Sequence, residues 1–342
     1  MKRHAHLVGS LGLEDAETCM STVAEILGEC CARIPDGETG ARGYWIRWQD
    51  KTFRAHPDLE LVEITQSLPG YKDAVKRPFY RLRESRDPQE LDLGELGYAR
   101  EAVASYAVFK RLSSAGKIAA GTRFQVSLPS PIALTCGFIV AQDRSRLEPA
   151  IERAMQAEVA RIQQAIPAER LAIQWDVCHE VIGADGGPPL PYGEAIEGSL
   201  ERLGRLCGLV GKAAQLGFHL CYGDPGHKHI VEPNSLAVCV AFANGICRAS
   251  PRPVDYVHMP VPRNRADAAY FAPLKDLSLP ARTRLVIGLV HYTDGAEGTR
   301  RRMAIAERFV RDFDVATECG FGRRDPATIP QLLRIHREVA ER

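Results

Sequence analysis

Leu171-Ala172-Ile173-Gln174-Trp175-Asp176 and Phe218-His219-Leu220-Cys221-Tyr222 are two short apolar runs, and a helical pattern over 199–216 lies between them, with Gly217 as its expected cap. Strand, helix, strand in that order is the building unit of a parallel sheet. Working outward, the unit recurs. Upstream, 6–10 reads as a first strand, 33–38 as the end of a second and 124–128 as a third. Residues 14–29 read as a helix with Met20, Val23, Ile26 and Leu27 on one face, and Leu147, Ile151, Met155, Val159, Ile162 and Ile166 form the stripe of another. Downstream, 254–258, 285–290 and 315–319 complete eight strands, with helices over 300–313 and 330–341. Eight strands separated mainly by helices predict an α/β fold, a single (β/α)8 TIM barrel spanning 1–342. Residues 41–122 do not fit the unit and read as an elaborated insertion after the second strand, with helix within 91–115. An open doubly wound sheet would want a glycine-rich turn after its first strand, and Gly9-Ser10-Leu11-Gly12 matches that poorly.

Composition narrows the function classes. A net charge of +1 with 25% charged residues, and no nucleic-acid-binding motif, argues against a nucleic-acid partner. No apolar stretch of about 18 residues predicts a membrane span. The first residues, Met1-Lys2-Arg3-His4-Ala5-His6, run straight into a strand with no secretory signal, so the expectation is a cytoplasmic, reduced protein. Its ten cysteines are then core residues, metal ligands or nucleophiles rather than disulfides. Cys207, Cys239 and Cys247 sit among apolar neighbours and read as core. Nothing in the sequence fixes an oligomeric state.

Polar residues gather at the expected C-terminal strand ends, where the chemistry of such a barrel sits: Ser10, Glu38, Asp176, His219, Cys221, His258 and Cys319. Residues two apart on a strand face the same side, so His219 and Cys221 both point into the mouth, and Cys319 joins them from the closing strand. Imidazole and thiolate are zinc ligands, and three protein ligands suffice for a catalytic ion. His258 is a candidate fourth. The rival reading is a packed histidine with two buried thiols. His227 and His229 lie on the loop after the fifth strand and read as solvated, or else as substrate contacts. The aromatic residues Tyr44, Trp45, Trp48, Phe53, Tyr71, Phe79 and Tyr80 read as the core of the 41–122 segment, or else as the lining of a planar substrate site.

These motifs, in this order along nearly the whole chain, resemble the catalytic barrel of cobalamin-independent methionine synthase. Its superfamily also holds uroporphyrinogen decarboxylase and thiol-alkylating zinc enzymes. Val8-Gly9-Ser10 resembles that family's first-strand Gly-Ser, Asp36-Gly37-Glu38 its His-Gly-Glu, and Ser127-Leu128-Pro129-Ser130-Pro131 its Gly-Pro turn. Ile173-Gln174-Trp175-Asp176 is similar to Ile-Gln-Ile-Asp, His219-Leu220-Cys221-Tyr222 to His-Met-Cys-Tyr, and Glu318-Cys319-Gly320 to Asp-Cys-Gly. The resemblance implies zinc on His219, Cys221 and Cys319, and substrate contacts from Ser10, Glu38 and Asp176. The family's sixth-strand ligand is a glutamate, and the matching position here falls near Pro260, so either His258 substitutes or the site has three protein ligands. Asp176 is followed by Val177-Cys178-His179 where the family has Asp-Glu-Pro. His291-Tyr292-Thr293-Asp294 loosely matches a histidine-bearing loop, and no counterpart of the family's N-terminal second barrel is expected within residues 1–342.

The leading expectation is therefore a zinc-dependent methyltransferase that activates a small-molecule thiol for methyl or alkyl transfer. Its donor is a methyl folate, a methylated corrinoid or another methyl or alkyl compound. His291 and Asp294 are the candidate acid/base residues, with Arg323 a substrate-binding candidate. The alternative is a lyase, decarboxylase or hydrolase on the same barrel, working through carboxylates such as Glu38 and Glu318, with or without zinc-activated water. A third reading is a non-enzymatic binder of a metal, thiol or corrinoid.

Overall fold

The computed structural model describes residues 3–69, 71–225 and 228–341. β1 (Arg33–Pro35) is followed by an antiparallel pair, β2 (Leu59–Gln66) and β3 (Val75–Leu82), which forms its own two-stranded sheet. β4 (Arg123–Pro129), β5 (Leu171–Val177), β6 (Gln215–Leu220), β7 (Tyr256–Pro260), β8 (Arg284–Val290) and β9 (Asp314–Thr317) follow. The main sheet runs β1-β4-β5-β6-β7-β8-β9, with every neighbouring pair parallel. Chain order and spatial order coincide, as expected when each strand is followed by a crossover that packs back on the sheet. Helices Arg144–Ala165, Ala195–Gly208, Ala237–Ala249 and Gly295–Ala306 make four of those crossovers, and Ile329–Ala340 follows β9.

The sheet curls until its edges meet on one segment. Ala5 bridges in parallel to Cys31, just before β1, and to Val315 in β9. The Ala5 amide donates to the Cys30 carbonyl at 2.7 Å and the His6 amide to Val315 at 2.8 Å. The first strand expected over 6–10 is thus present only as isolated bridges at Ala5 and Ser10, and the main sheet has seven named strands.

Burial follows from this layering. β5 is buried at all seven positions, since helices cover one face and the curled interior covers the other. The interior is partly polar and internally paired. The Gln174 amide donates to the Val8 carbonyl at 2.6 Å, its Oε1 lies 3.0 Å from His6 Nε2, and the Gln125 amide donates to Leu7 and Val8. These bonds hold the 5–10 segment in place where the ladder is sparse.

Two local expectations are corrected. The helix expected over 199–216 ends at Gly208, and Gly217 lies inside β6 rather than capping a helix. Its lack of a side chain is required there, because a Cβ would run into the Tyr256 ring on β7. In the 41–122 segment, Trp48, Phe53, Phe79 and Tyr80 are buried, while Tyr44 and Tyr71 are 67% and 49% exposed, so its aromatic residues divide between core and surface. The helix expected within 91–115 is Tyr98–Ser114.

Candidate metal centre

His219 stands near the end of β6, Cys221 one residue beyond it, and Cys319 two residues past β9. The two strand ends bring one nitrogen and two sulfurs within 4.8 Å of one another, and among the described residues no other such trio of His, Cys, Asp or Glu forms. Cys221 Sγ and Cys319 Sγ are 4.0 Å apart. Two sulfurs bonded to one tetrahedral zinc at about 2.3 Å would stand roughly 3.8 Å apart, so the spacing fits. The Gly223 amide donates to Cys221 Sγ at 3.2 Å, a contact suited to a sulfur carrying negative charge.

The histidine pair beside the sulfurs is ordered by a backbone carbonyl. His258 Nε2 lies 3.0 Å from the Thr317 carbonyl oxygen, which can only accept, so Nε2 carries the proton. His258 Nδ1 is then an acceptor, and His219 Nδ1–H donates to it at 2.7 Å. That leaves His219 Nε2 as a bare lone pair, buried and without a partner. An orphaned nitrogen beside two thiols is the donor set zinc takes. His258 does not join the set, because both of its ring nitrogens are already engaged. Without a cation, contact with Cys178 and burial raise the Cys221 pKa, and contact with Cys221 and burial raise that of Cys319.

The trio opens on a cavity of about 70 Å³ that Ser10, Glu38, Trp45, Asp176, Cys178 and Arg323 also line. Two acids face it. Burial, then Asp176 and Asp36, pushes the Glu38 pKa well above the carboxylate range. Burial pushes Asp176 up to about 7, although Gln174 donates to it at 2.9 Å. Glu38 and Trp45 are the described non-glycine residues with positive φ, at 48° and 55°, and both line this cavity. Such strain persists where surrounding structure enforces it, often at sites of function. Here the Glu38 amide donates to Asp36, which is tied to Arg42 at 2.8 Å and to Ser105 at 2.7 Å. Gly9 leaves room for the acid, since a Cβ there would come 2.6 Å from Glu38 Oε1. Ser10 braces the loop after Cys319: its Oγ accepts from the Gly322 amide at 3.1 Å and its carbonyl from Phe321 at 2.7 Å. Arg323 pairs with Asp224 at 2.9 Å.

A second, larger cleft of about 780 Å³ adjoins the first through Asp224 and is lined in part by His229, His291, Glu318, Arg263 and Arg324. Glu318 precedes Cys319 but faces this cleft, where it meets His229 Nε2 at 3.3 Å and His291 Nδ1 at 3.7 Å. Burial works to lower the His229 pKa, but the Glu318 and Glu232 carboxylates outweigh it and the net shift is upward. His229 is therefore a buried, ion-paired residue rather than the solvated one expected; its loop neighbour His227 lies outside the described residues. Burial lowers His291 to about 4, and its Nε2–H donates to the Val261 carbonyl at 2.9 Å.

Asp294 is the other acid/base candidate of the loop that bears His291. It lines neither cavity and instead grips the buried Arg302 guanidinium at 2.6 and 2.9 Å. This pairing neutralises a buried cation at the start of a helix. Sequence reasoning also missed Cys178 and Gln174. Gln174 carried a signal, as a polar residue that shares an otherwise apolar strand with Asp176 alone.

No protein-family model and no curated protein matches this chain. Solved structures do, among them the following two. A B12-independent methionine synthase from Shewanella sp. W3-18-1, in complex with selenomethionine, aligns with a TM-score of 0.55 at 14% identity over 83% of this chain and 75% of its own. A methyltransferase from Methanosarcina mazei aligns with a TM-score of 0.53 at 11% identity over 98% of this chain and 94% of its own. At these identities the likeness is one of fold.

Proposed function

We propose that this chain is a zinc-dependent enzyme that activates a small thiol for methyl or alkyl transfer, on a (β/α)8 barrel closed by the 5–10 segment. The observation that carries the reading is the bare His219 nitrogen converging with two thiols on a cavity that Glu38 and Asp176 also line. The fold shared with a methionine synthase and a methyltransferase agrees with it. When bound, zinc supplies a Lewis acid that ionises a thiol at neutral pH. In the proposed reaction the substrate sulfur would bond to the donor's alkyl carbon as the carbon's bond to its leaving group breaks, and the thiol proton would go to solvent or to the leaving group.

The residues of the chain divide the remaining work. A cationic end of the thiol substrate favours the ionised forms of Glu38 and Asp176 and is held by them, and Arg323 holds an anionic one. The small cavity suits a compact thiol. A folate- or corrinoid-sized donor needs a volume of the class of the larger cleft, where His291 and Glu318 can exchange a proton with it. Both substrates are small molecules, with no nucleic-acid or membrane partner, and we place the enzyme in the cytoplasm. Among the described residues no helix is long and apolar enough to cross a membrane.

Metal analysis tests the reading: one zinc per chain is expected, lost in Cys221→Ser and Cys319→Ser together with methylation of thiols. Full thiol methylation by a metal-free preparation would overturn it. A second reading rests on Asp176, whose raised pKa suits a general acid in a hydrolase or decarboxylase. X-ray absorption separates the two, since added thiol should place a further sulfur on the zinc only in the transferase.

A further inference from the structure

We propose that His258 is the positioning residue of the metal centre: through one hydrogen bond it holds His219 in the Nδ1–H tautomer and aims Nε2 at the ion. This rests on the metal reading above and adds a residue that supplies no ligand.

The arrangement is set by backbone register. His219 and His258 are directly paired positions of the parallel β6–β7 ladder, so their rings lie side by side, with centroids 4.8 Å apart and planes tilted by 38°. Both side chains are buried, so neither can exchange its partner for bulk water. The chain of donors has one consistent direction. The Thr317 carbonyl fixes the proton on His258 Nε2, His258 Nδ1 must accept, and His219 Nδ1 must donate. Reversing the His–His bond would place two lone pairs face to face at the carbonyl, leaving a buried acceptor unsatisfied.

The anchor is not arbitrary. Thr317 ends β9, and its hydroxyl donates to the Cys319 carbonyl at 2.6 Å. One residue therefore orients the imidazole through its carbonyl and steadies the cysteine ligand through its hydroxyl. Partners of this kind fix the tautomer and ring orientation of a ligating histidine, and removing them costs about 10- to 100-fold in metal affinity.

The test has two readouts. The first is 15N chemical shifts of the histidine rings in the metal-free wild-type protein, which report tautomers whether or not zinc binds. His219 is expected as the Nδ1–H form and His258 as the Nε2–H form. An Nε2–H form at His219 overturns the proposal. The second is zinc affinity by chelator competition. His258→Leu removes the acceptor and should weaken zinc by about 10- to 100-fold. His258→Asn places Oδ1 near the lost Nδ1 and should recover most of that affinity. Thermal melts of both metal-free variants separate this pattern from a general loss of folding. Wild-type affinity in His258→Leu, or equal loss in both variants, overturns the positioning role. Failure of the wild-type protein to bind zinc overturns the metal reading as well, while the expected tautomers would then stand as structural only.

Discussion

Asp176 shows how one residue reports on a site. Its carboxyl is raised to about 7 by burial, so the folded protein holds that proton where the unfolded chain, near 4, has released it. Stability from this group is therefore present at acid pH and declines as pH rises from about 4 through 7. Glu38 shifts in the same direction, whereas buried histidines such as His291 oppose it by resisting protonation below their unfolded value. The difference between wild type and Asp176→Asn isolates the acid. In chelator, the variant should match the wild type near pH 4 and exceed it in melting temperature at pH 8. A constant offset across the range would show that Asp176 titrates normally. Asp294 makes the contrasting case. Arg302 is 2% exposed and depends on it, so Asp294→Ala should cost about 3 kcal/mol by leaving a buried cation short of its partner. Denaturant melts check the figure, and kcat for the folded fraction should stay near wild type.

At the scale of elements, the strands were legible where periodicity and burial coincide. The run 171–176 is strand because every position is covered, and its sequence is apolar except where Gln174 and Asp176 face the interior. Cys221 and Cys319 were legible for a related reason: parallel strands deliver their C-terminal ends to one face, so chemistry-bearing residues there converge whatever their separation in sequence. What was not legible depends on pairing between distant elements. No local pattern says that residues 5–10 would bridge two edges with so few ladder bonds, or that Gly217 serves the ring of Tyr256. His258 likewise looked like a ligand, because sequence shows the imidazole and not the Thr317 carbonyl that occupies it. The Gly217 contact gives a prediction at this scale. Gly217→Ala forces a methyl into the Tyr256 ring and should destabilise by about 1 to 3 kcal/mol. Combining it with Tyr256→Val should recover part of the loss in a double-mutant cycle, and strict additivity would mean the two side chains do not meet.

For the whole molecule, the centre ties together parts of the chain that fold far apart in sequence. His219 and Cys221 come from β6 and its end, Cys319 from the segment after β9, and β9 also meets the 5–10 segment through Ala5 and Val315. A ligand that binds only the folded state adds RT ln(1 + [L]/Kd), about 4 kcal/mol at a thousand-fold excess over Kd. For a chain of 342 residues that amounts to a rise of a few degrees in melting temperature. Zinc should produce this rise, and a chelator should reverse it. Cys319→Ser should abolish the response, since it removes one ligand and with it the link between β6 and β9. Cys207→Ser should keep it: Cys207 is fully buried among apolar residues, so that variant lowers the baseline but leaves the increment intact. Equal increments in wild type and Cys319→Ser would place the ion elsewhere. An increment confined to amides of the β6 end, with no added hydrogen-exchange protection at β9 or residues 5–10, would show binding without the cross-tie. The geometry requires protection at all three, because the cation draws two ligands from the end of β6 and one from the segment after β9, and β9 is bridged to residues 5–10 through Val315 and Ala5.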